Sequence, residues 1–231
     1  MIDLFPAGFE EREHEDSLEL VAYTERADVT EMLQRFGPVR AVDVTSGWED
    51  EWRRFHRPVR IGSLWIGPSW EQPEDDAIAI VIDPGRAFGI GAHATTRLCL
   101  ELLLGLDPAS IVDVGCGSGV IAVAARKLGF EPVTALDNDD AAVEAARANA
   151  AANRVGVDVQ RADALVDPLP AVEIAVVNIA REAVERVAMR FAGALVVSSG
   201  YLDNERPEPS GWRVAERRFA EGWAADLLVR R

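Results

Sequence analysis

The sequence predicts an α/β fold built on a mostly parallel sheet, and three observations support this. Residues 111–114, Ile-Val-Asp-Val, have the mostly apolar pattern typical of a buried parallel strand. A glycine-rich turn at 115–119 follows it directly. Residues 120–128 then keep an apolar face at helical spacing until Gly129 ends the pattern. A strand, a glycine turn and a helix form the start of a nucleotide-binding α/β unit.

The first part of the chain predicts a small α+β domain over residues 1–47. Residues 10–16 are predicted to be a polar loop, residues 18–23 a strand, and residues 29–36 a short helix. A further strand is expected near 39–44. A unit of this size buries too little apolar surface to be stable alone, so we expect it to dock against something else.

The next segment, residues 48–72, is predicted to be an aromatic linker. Its beginning, 48–58, has helical spacing with two tryptophans and a phenylalanine on one side, which favours packing over ligand stacking. A strand and turn are expected within 61–70, and another strand at 77–82. Residues 73–231 then form the larger domain.

A loop punctuated by glycines, residues 83–96, precedes a helix predicted at 97–106. Thr95 or Thr96 is placed to cap that helix. A loop that ends at a helix N-terminus just before the first sheet strand is well placed to close over a ligand. His93 lies in this loop, and we favour a loop-shaping role over general-base catalysis because no acidic partner is identifiable.

The spacing of the glycines selects among nucleotide ligands. They stand at 115, 117 and 119, and position 120 is Val. A dinucleotide fingerprint, G-x-G-x-x-G, would need a glycine there, so a nicotinamide dehydrogenase is disfavoured. The order G-x-G-x-G is typical of enzymes that bind S-adenosylmethionine (SAM). Glycines in such a turn let a ligand approach the backbone closely.

Two acidic residues follow the next strands. A strand at 133–136 ends at Asp137, where a carboxylate can accept both ribose hydroxyls of an adenosine. A strand at 157–160 leads to Asp163, which is placed to accept from the adenine amino group. The alternative is that both acids are solvated loop residues. Together with the glycine turn they favour a nucleoside site.

The remaining elements alternate helix and strand and end in a hairpin: helices at 139–153 and 181–191, strands at 172–177 and 194–199, and hairpin strands at 212–219 and 223–229. Asn178 comes directly after the strand at 172–177. Ligands of open parallel sheets gather at the carboxyl ends of the strands, so Asn178 should face the same crevice as Gly115 and Asp137.

Composition limits the possible partners. The chain has 231 residues and a net charge of -15, which disfavours direct binding to nucleic acid because that binding depends on Lys and Arg. Residues 1–50 hold 13 acidic residues against 4 arginines, a net of -9, which suits a basic protein partner or simply a solvated surface.

Targeting and metal signals are not found in the sequence. No apolar run reaches the length of a membrane span and the N-terminus does not resemble a signal peptide, so we expect a cytoplasmic protein without membrane contact. Cys99 and Cys116 have neither metal-ligand nor disulfide spacing, and no metal site is predicted.

The chain resembles the ribosomal protein L-eleven methyltransferase (PrmA) family from about Phe9 to its C-terminus. The resemblance rests on six segments in order: Trp48 to Trp52, Pro58 to Trp70, Asp83 to Gly85, Phe88 to Thr96, Asp113 to Gly119, and Asn178 with Ile179. It implies a class I (Rossmann-like), seven-stranded methyltransferase sheet at 73–231 and a small N-terminal domain that docks the protein substrate.

The resemblance also implies a site. Matching the family's cofactor contacts position by position points to Thr96, Gly115, Asp137 and Asn178 as SAM contacts. The full set of expected SAM contacts adds Phe88, Asp113 and Gly117, and Asp163 from the strand pattern, and Asn178 is also expected to be catalytic. Two departures concern substrate recognition. Ile90, Ala92 and Ala94 replace two threonines and a proline of the family's loop, and the N-terminal domain looks truncated by a strand and a helix.

The expected function is SAM-dependent methylation of amino groups, of lysine or of the N-terminus, on a basic, ribosomal protein. Two alternatives stay open. The chain can act on another protein or a small molecule, which the altered loop and short N-terminal domain favour. It can also bind SAM without catalysis, against which the combination of Asn178, Gly115 and Asp137 argues.

Overall fold

The computed structural model describes residues 10–14, 17–21, 57–83 and 93–231. The chain divides into two compact units, Met1–Phe55 and His56–Arg231. The helix predicted at 29–36, the strand near 39–44 and the linker helix up to residue 56 lie outside the described residues. The three-part division at 47 and 72 stays a prediction.

In the first unit, strands β1 (Glu10–His14) and β2 (Ser17–Val21) pair antiparallel. The register runs from Glu10 opposite Val21 to His14 opposite Ser17. The prediction of a polar loop over 10–16 is therefore wrong for 10–14. Strand pairing uses backbone groups, so a run of polar residues can form a strand when a neighbouring strand supplies the hydrogen bonds.

The second unit begins with a three-stranded sheet of β3 (Val59–Ile61), β4 (Leu64–Gly67) and β5 (Ile78–Val81). The β3 and β4 strands pair antiparallel across a turn at 62–63, and β4 pairs parallel with β5. The strand and turn predicted within 61–70 are thus two short strands, because the turn falls earlier than expected.

The main sheet has seven strands in the order β11-β12-β10-β9-β6-β7-β8. They are β6 (Ile111–Val114), β7 (Val133–Asp137), β8 (Asp158–Arg161), β9 (Ile174–Asn178), β10 (Leu195–Leu202), β11 (Trp212–Ala220) and β12 (Trp223–Arg230). Strands β6 to β10 run parallel, and β12 pairs antiparallel with both β10 and β11. The predicted α/β class, seven strands and terminal hairpin are confirmed.

In the part of the chain that the structure describes, four helices pack on the two faces of this sheet: α1 (Ala94–Leu103), α2 (Val120–Lys127), α3 (Asp140–Ala152) and α4 (Arg181–Arg190). Alternate strand residues point to opposite faces, so Ile111 packs in the core with α1, α2 and α3, while Val112 packs with α4. Because every parallel strand ends at the same edge, the segments after β6, β7, β8 and β9 meet there.

Helix α1 differs from its prediction at both ends. It begins at Ala94 and ends at Leu103, rather than running from 97 to 106. Its N-cap is His93, whose Nδ1 accepts from the Thr95 amide, so neither Thr95 nor Thr96 is the cap. The His93 ring also makes an edge-to-face contact with Trp223, 5.1 Å between centroids. This arrangement agrees with a loop-shaping role for His93.

A buried polar network holds the terminal hairpin to β10. Asp226 is 0% exposed and accepts hydrogen bonds from Arg217 and from the Tyr201 hydroxyl, both at 2.8 Å. Arg217 also donates to the carbonyls of Asp203 and Glu205. A buried charge is tolerated only when it is paired in this way, so the network fixes the segment that follows β10.

Asp113 is a second buried acid, at the centre of β6. Its Oδ2 accepts from the amide of Ala122, in the first turn of α2, at 3.1 Å. Burial raises the pKa of Asp113 to about 7; the hydrogen bond from Ala122 opposes that rise and the charge of Asp137 adds to it. Asp113 therefore joins β6 to α2 from within the core.

Within the described ranges, no helix has the length and apolar character to cross a membrane.

The raised pKa of Asp113 predicts a pH dependence of stability. Between about pH 4 and 7 the unfolded chain releases this proton while the folded chain keeps it. The free energy of unfolding should therefore fall as the pH rises through this window and level off above it. Asp113→Asn cannot titrate there, and its amide oxygen can still accept from Ala122. Relative to wild type, the variant should gain on the order of 2 to 4 kcal/mol between pH 4 and 8.

Urea unfolding at half-unit pH steps, without ligand, measures this difference. Asp158→Asn, at an exposed position on β8, is the control and should follow the wild-type curve. If the free energy of unfolding changes with pH in the same way for wild type and Asp113→Asn, then Asp113 is ionised in the folded protein between pH 4 and 8.

Candidate functional site

A cavity of about 490 Å³ lies at the carboxyl edge of the main sheet. This volume is in the range of small-molecule sites. Its lining residues come from the start of α1 and from segments 114–121, 137–142, 162–165 and 178–187. Six residues predicted from the sequence line it together: Thr96, Gly115, Gly117, Asp137, Asp163 and Asn178.

The glycine turn forms one wall of the cavity. Gly115, Gly117 and Gly119 all have positive φ, at 68°, 53° and 77°. At Gly119, the N-cap of α2, a Cβ would lie 2.9 Å from the Cβ of Ala146 on α3. A side chain there would push α3 away, so the glycine is required for close packing of turn and helix as well as for the bend.

Asp137 links the ends of β6 and β7. Its Oδ2 accepts from the Gly117 amide at 2.9 Å, and its Oδ1 accepts from the Asp139 amide at 3.0 Å. Each carboxylate oxygen can accept a second hydrogen bond. Asp137 is therefore held rigidly at the cavity with acceptor capacity left for a diol.

Asp163 lines the cavity beyond β8 and is fixed by local bonds. Its Oδ1 accepts from the Leu165 amide at 2.9 Å, and its own amide donates to Oδ2 of Asp167 at 2.8 Å. These bonds stabilise the loop conformation and leave Oδ2 of Asp163 as an acceptor. Asp163 is thus an ordered residue of the site, and its contact with adenine stays a prediction.

Asn178 and Thr96 meet on the other side of the cavity. Nδ2 of Asn178 donates to Oγ1 of Thr96 at 3.5 Å, a long hydrogen bond. Thr96 is 2% exposed, whereas Asn178 is half-buried. With its amide nitrogen turned to Thr96, the side-chain oxygen of Asn178 is available to accept from a ligand.

One predicted contact, Asp113, does not line the cavity, and another, Phe88, is not tested. Asp113 is 2% exposed and does not line it; its carboxylate supports the glycine turn from behind through Ala122. Phe88 lies outside the described residues, as do Ile90 and Ala92. Ala94, the third departure from the family's loop, is buried in the first turn of α1.

Two residues of the site were not predicted. Ile179 lines the cavity, and its side chain contacts Gly115. Asn149 on α3 donates to the Ser118 carbonyl at 2.9 Å and accepts from the Asp83 amide at 3.3 Å, so it fixes the glycine turn relative to the end of β5. An asparagine on the buried side of an alanine-rich helix was the signal that could have identified it.

Comparison with known proteins is consistent with this geometry. The family model described as Ribosomal protein L11 methyltransferase (PrmA) matches residues 7–224. The ribosomal protein L11 methyltransferase of Shewanella pealeana is 43% identical over 177 residues, which are 71% of this chain and 60% of that protein. The chain therefore spans less than two thirds of that relative's length.

Solved structures show the same fold. The crystal structure of ribosomal protein L11 methylase from Lactobacillus delbrueckii subsp. bulgaricus matches with a TM-score of 0.68 and 29% identity, over 76% of this chain and 100% of that one. A Pyrococcus abyssi tRNA (uracil-54, C5)-methyltransferase, solved in complex with S-adenosyl-L-homocysteine, matches at 18% identity with a TM-score of 0.54, over 75% of this chain and 44% of that one, and shows the fold alone.

The match to the family model covers most of the chain, and the Shewanella relative exceeds 40% identity over more than two thirds of it. The seven-stranded sheet expected from the resemblance is also present, with its glycine turn and strand-end residues around one cavity. This chain therefore belongs to the ribosomal protein L11 methyltransferase (PrmA) family.

Proposed function

We propose that this chain is a SAM-dependent N-methyltransferase that modifies amino groups of ribosomal protein L11. The observation that carries the proposal is that Asn178 shares one cavity with Gly115 and Asp137. The proposed nucleoside-binding residues and a polar group for an acceptor thus line the same cavity. The names of the relatives supply the substrate, and the lysine or N-terminal amine remains to be identified.

SAM, the methyl donor of this family, fits the residues present. The cavity is large enough for a nucleoside with a short amino-acid tail. Asp137 would hold the ribose hydroxyls, and the backbone at Gly115 and Gly117 would lie against the ligand because no side chain intervenes. Asp163 would accept from the adenine amino group, and Thr96 would keep Asn178 in place.

When bound, SAM supplies an electrophilic methyl group on a sulfonium. Asn178 would accept one N–H of the amine through its side-chain oxygen, which turns the nitrogen lone pair toward the methyl. A neutral amine is required. An α-amine with a pKa near 8 meets that need readily, whereas neutralising a lysine with a pKa near 10.4 costs about 4 kcal/mol at pH 7.4.

The described part of the cavity lining contains no evident general base near Asn178. Its carboxylates are Asp137, Asp139 and Asp163, all on segments that follow β7 or β8. Cys116 also lines the cavity, but burial raises the pKa of its thiol, so it stays protonated. The residues present therefore orient and desolvate the amine, and its proton leaves to solvent.

The net charge of -15 supports a basic protein partner and argues against direct binding to nucleic acid. We infer that residues 1–47 contact the protein substrate. Because the proposed substrate is a ribosomal protein, we place the activity in the cytoplasm.

The direct test is to incubate the purified chain with SAM and unmethylated ribosomal protein L11, and to map new methyl groups by mass spectrometry. Methylated amines support the proposal and identify the acceptor. SAM binding without methylation of L11, but with methylation of another protein, would reassign the substrate. SAM binding with no methyl transfer to L11, other basic proteins or small amines would indicate a binding module.

Asp137→Ala should weaken SAM binding. The change removes an acceptor for two hydroxyls and releases the Gly117 amide. Hydrogen bonds to a charged group contribute about 1.5 to 3 kcal/mol each, so affinity should fall by about tenfold or more. Isothermal titration measures this. Asp158→Ala, at an exposed acid on the same sheet, is the control. Wild-type affinity in Asp137→Ala would remove Asp137 from the site.

Asn178→Ala, assayed at saturating SAM, should lower turnover by about tenfold or more, because the acceptor amine loses its orienting group. Asn178→Asp is a sharper variant. A carboxylate can hold a charged ammonium, which has no free lone pair, so substrate binding should persist while turnover falls. Steady-state kinetics on L11 separate KM from kcat. Normal turnover in both variants would leave Asn178 with no role in catalysis.

The acidic N-terminal segment gives another prediction. Reversing the charge of Glu10, Glu11, Glu13 and Glu15 to Lys should slow association with L11 by about tenfold at low salt and weaken its salt dependence, because steering by opposite charge is lost. SAM affinity should not change. Stopped-flow or biosensor kinetics at several salt concentrations provide the measurement.

The control reverses four exposed acids of the larger unit: Glu71, Asp75, Asp107 and Glu144. If it slows association as much as the N-terminal variant does, then overall charge and not the N-terminal segment steers the substrate.

A further inference from the structure

Ile179 is held between two glycines on different strands. A Cβ on Gly115, after β6, would lie 2.9 Å from Cδ1 of Ile179. A Cβ on Gly200, in β10, would lie 1.4 Å from the carbonyl oxygen of Ile179 and 2.4 Å from its carbonyl carbon. The side chain of Ile179 thus rests on the glycine turn, and its backbone rests on β10.

Gly200 occupies an irregularity in β10. Its φ is +94°, and the pairing of β10 with β12 shifts register between Ser199 and Tyr201, on either side of it. Ser199 opposite Asn178 is also the last pair between β10 and β9. The pairing between β10 and β9 therefore ends before Gly200. The chain that follows Asn178 crosses β10 at Gly200, the one residue of that strand without a side chain.

We propose that Gly200 is a positioning residue for the methyl acceptor, because it sets where the Asn178–Ile179 segment lies relative to the glycine turn. The claim that Gly200 positions a methyl acceptor rests on the proposed function, whereas the placement of Ile179 does not. Ile179 is 38% exposed and lines the cavity, so its apolar side chain faces any amine that approaches Asn178.

The magnitude of the clash makes this position sensitive. Real Cβ atoms essentially never approach a neighbour within 3.0 Å, so a methyl at Gly200 would require Gly200 and the Ile179 carbonyl to separate by at least about 1.6 Å, the difference between 3.0 and 1.4 Å. A misplacement of about 1 Å in a reacting pair can reduce the rate by about 100-fold. The wall formed by Gly117 and Asp137 is on other strands and is not displaced directly.

A matched control exists in the same part of the sheet. Gly211 precedes β11 with a φ of +83°, and a Cβ there would meet nothing within 4 Å. Gly200→Ala and Gly211→Ala therefore impose similar backbone strain, but only the first collides with Ile179. Their difference isolates the displacement of the Asn178–Ile179 segment.

The experiment compares the two variants in the full chain. Gly200→Ala should lower kcat on L11 by about tenfold or more, with affinity for S-adenosyl-L-homocysteine within about threefold of wild type. Gly211→Ala should keep the wild-type kcat and the wild-type affinity for S-adenosyl-L-homocysteine. In methyl-labelled protein, the NMR cross-relaxation between the Ile179 Cδ1 methyl and the Gly115 Cα protons should persist in Gly211→Ala and be lost in Gly200→Ala.

Wild-type turnover in folded Gly200→Ala overturns the proposal, and so does an unchanged Ile179 to Gly115 signal. If Gly200→Ala does not fold, Ile179→Ala tests the same point. It should lower kcat on L11 by about fivefold or more with affinity for S-adenosyl-L-homocysteine retained, and unchanged kcat overturns the proposal. Failure of the wild-type chain to methylate L11 would instead overturn the proposed function, and the NMR comparison would still test the placement of Ile179.

Discussion

The structure of the site depends on the hydrogen bond from the Gly117 amide to Oδ2 of Asp137, 2.9 Å long. It joins the turn after β6 to the end of β7. The turn can reach Asp137 only because α3 approaches it closely at Gly119 and because Asp113 holds the start of α2 from inside the core. An acid that is itself fixed by backbone amides can receive a diol without reorganising, which favours tight and oriented binding.

The acceptor side of the cavity is built differently. Asn178 is held by Thr96 of α1, and Ile179 by Gly200 of β10. Helix α1 is in turn fixed at its start, where His93 caps it and contacts Trp223 of the terminal hairpin. The proposed nucleoside side thus uses neighbouring strands and short loops, while the proposed acceptor side combines elements that are distant in sequence. The antiparallel hairpin contributes to the site through α1, although it contributes none of the predicted cofactor contacts.

This difference explains which features could be predicted from the sequence. The glycine turn, Asp137 and Asn178 stand at the ends of mostly apolar strands, and Asp163 follows a strand of mixed polarity. Parallel strands bring their carboxyl ends to one edge whatever the details of packing. Asp113 belongs to the same sequence motif as the glycine turn, but its side chain points into the core. Gly200 has no local signal, since its role is a contact with a neighbouring strand end. The hairpin at Glu10–His14 was missed because its side chains do not alternate in polarity.

The distribution of charge in the cavity bears on which form of the amine reacts. The carboxylates that line it lie at the end of β7 or after β7 and β8, where they would meet hydroxyl and amino groups of the proposed nucleoside. The described lining next to Asn178 is neutral: Thr96, which accepts a hydrogen bond from its side chain, and Ile179, the next residue in the chain. A carboxylate beside Asn178 would bind an ammonium strongly and raise its pKa, which would remove the lone pair that the reaction needs. A neutral amide accepts from the amine without stabilising its protonated form to the same extent. In the proposed reaction, the absence of a described charged group beside Asn178 would therefore favour the neutral, reactive form of the amine.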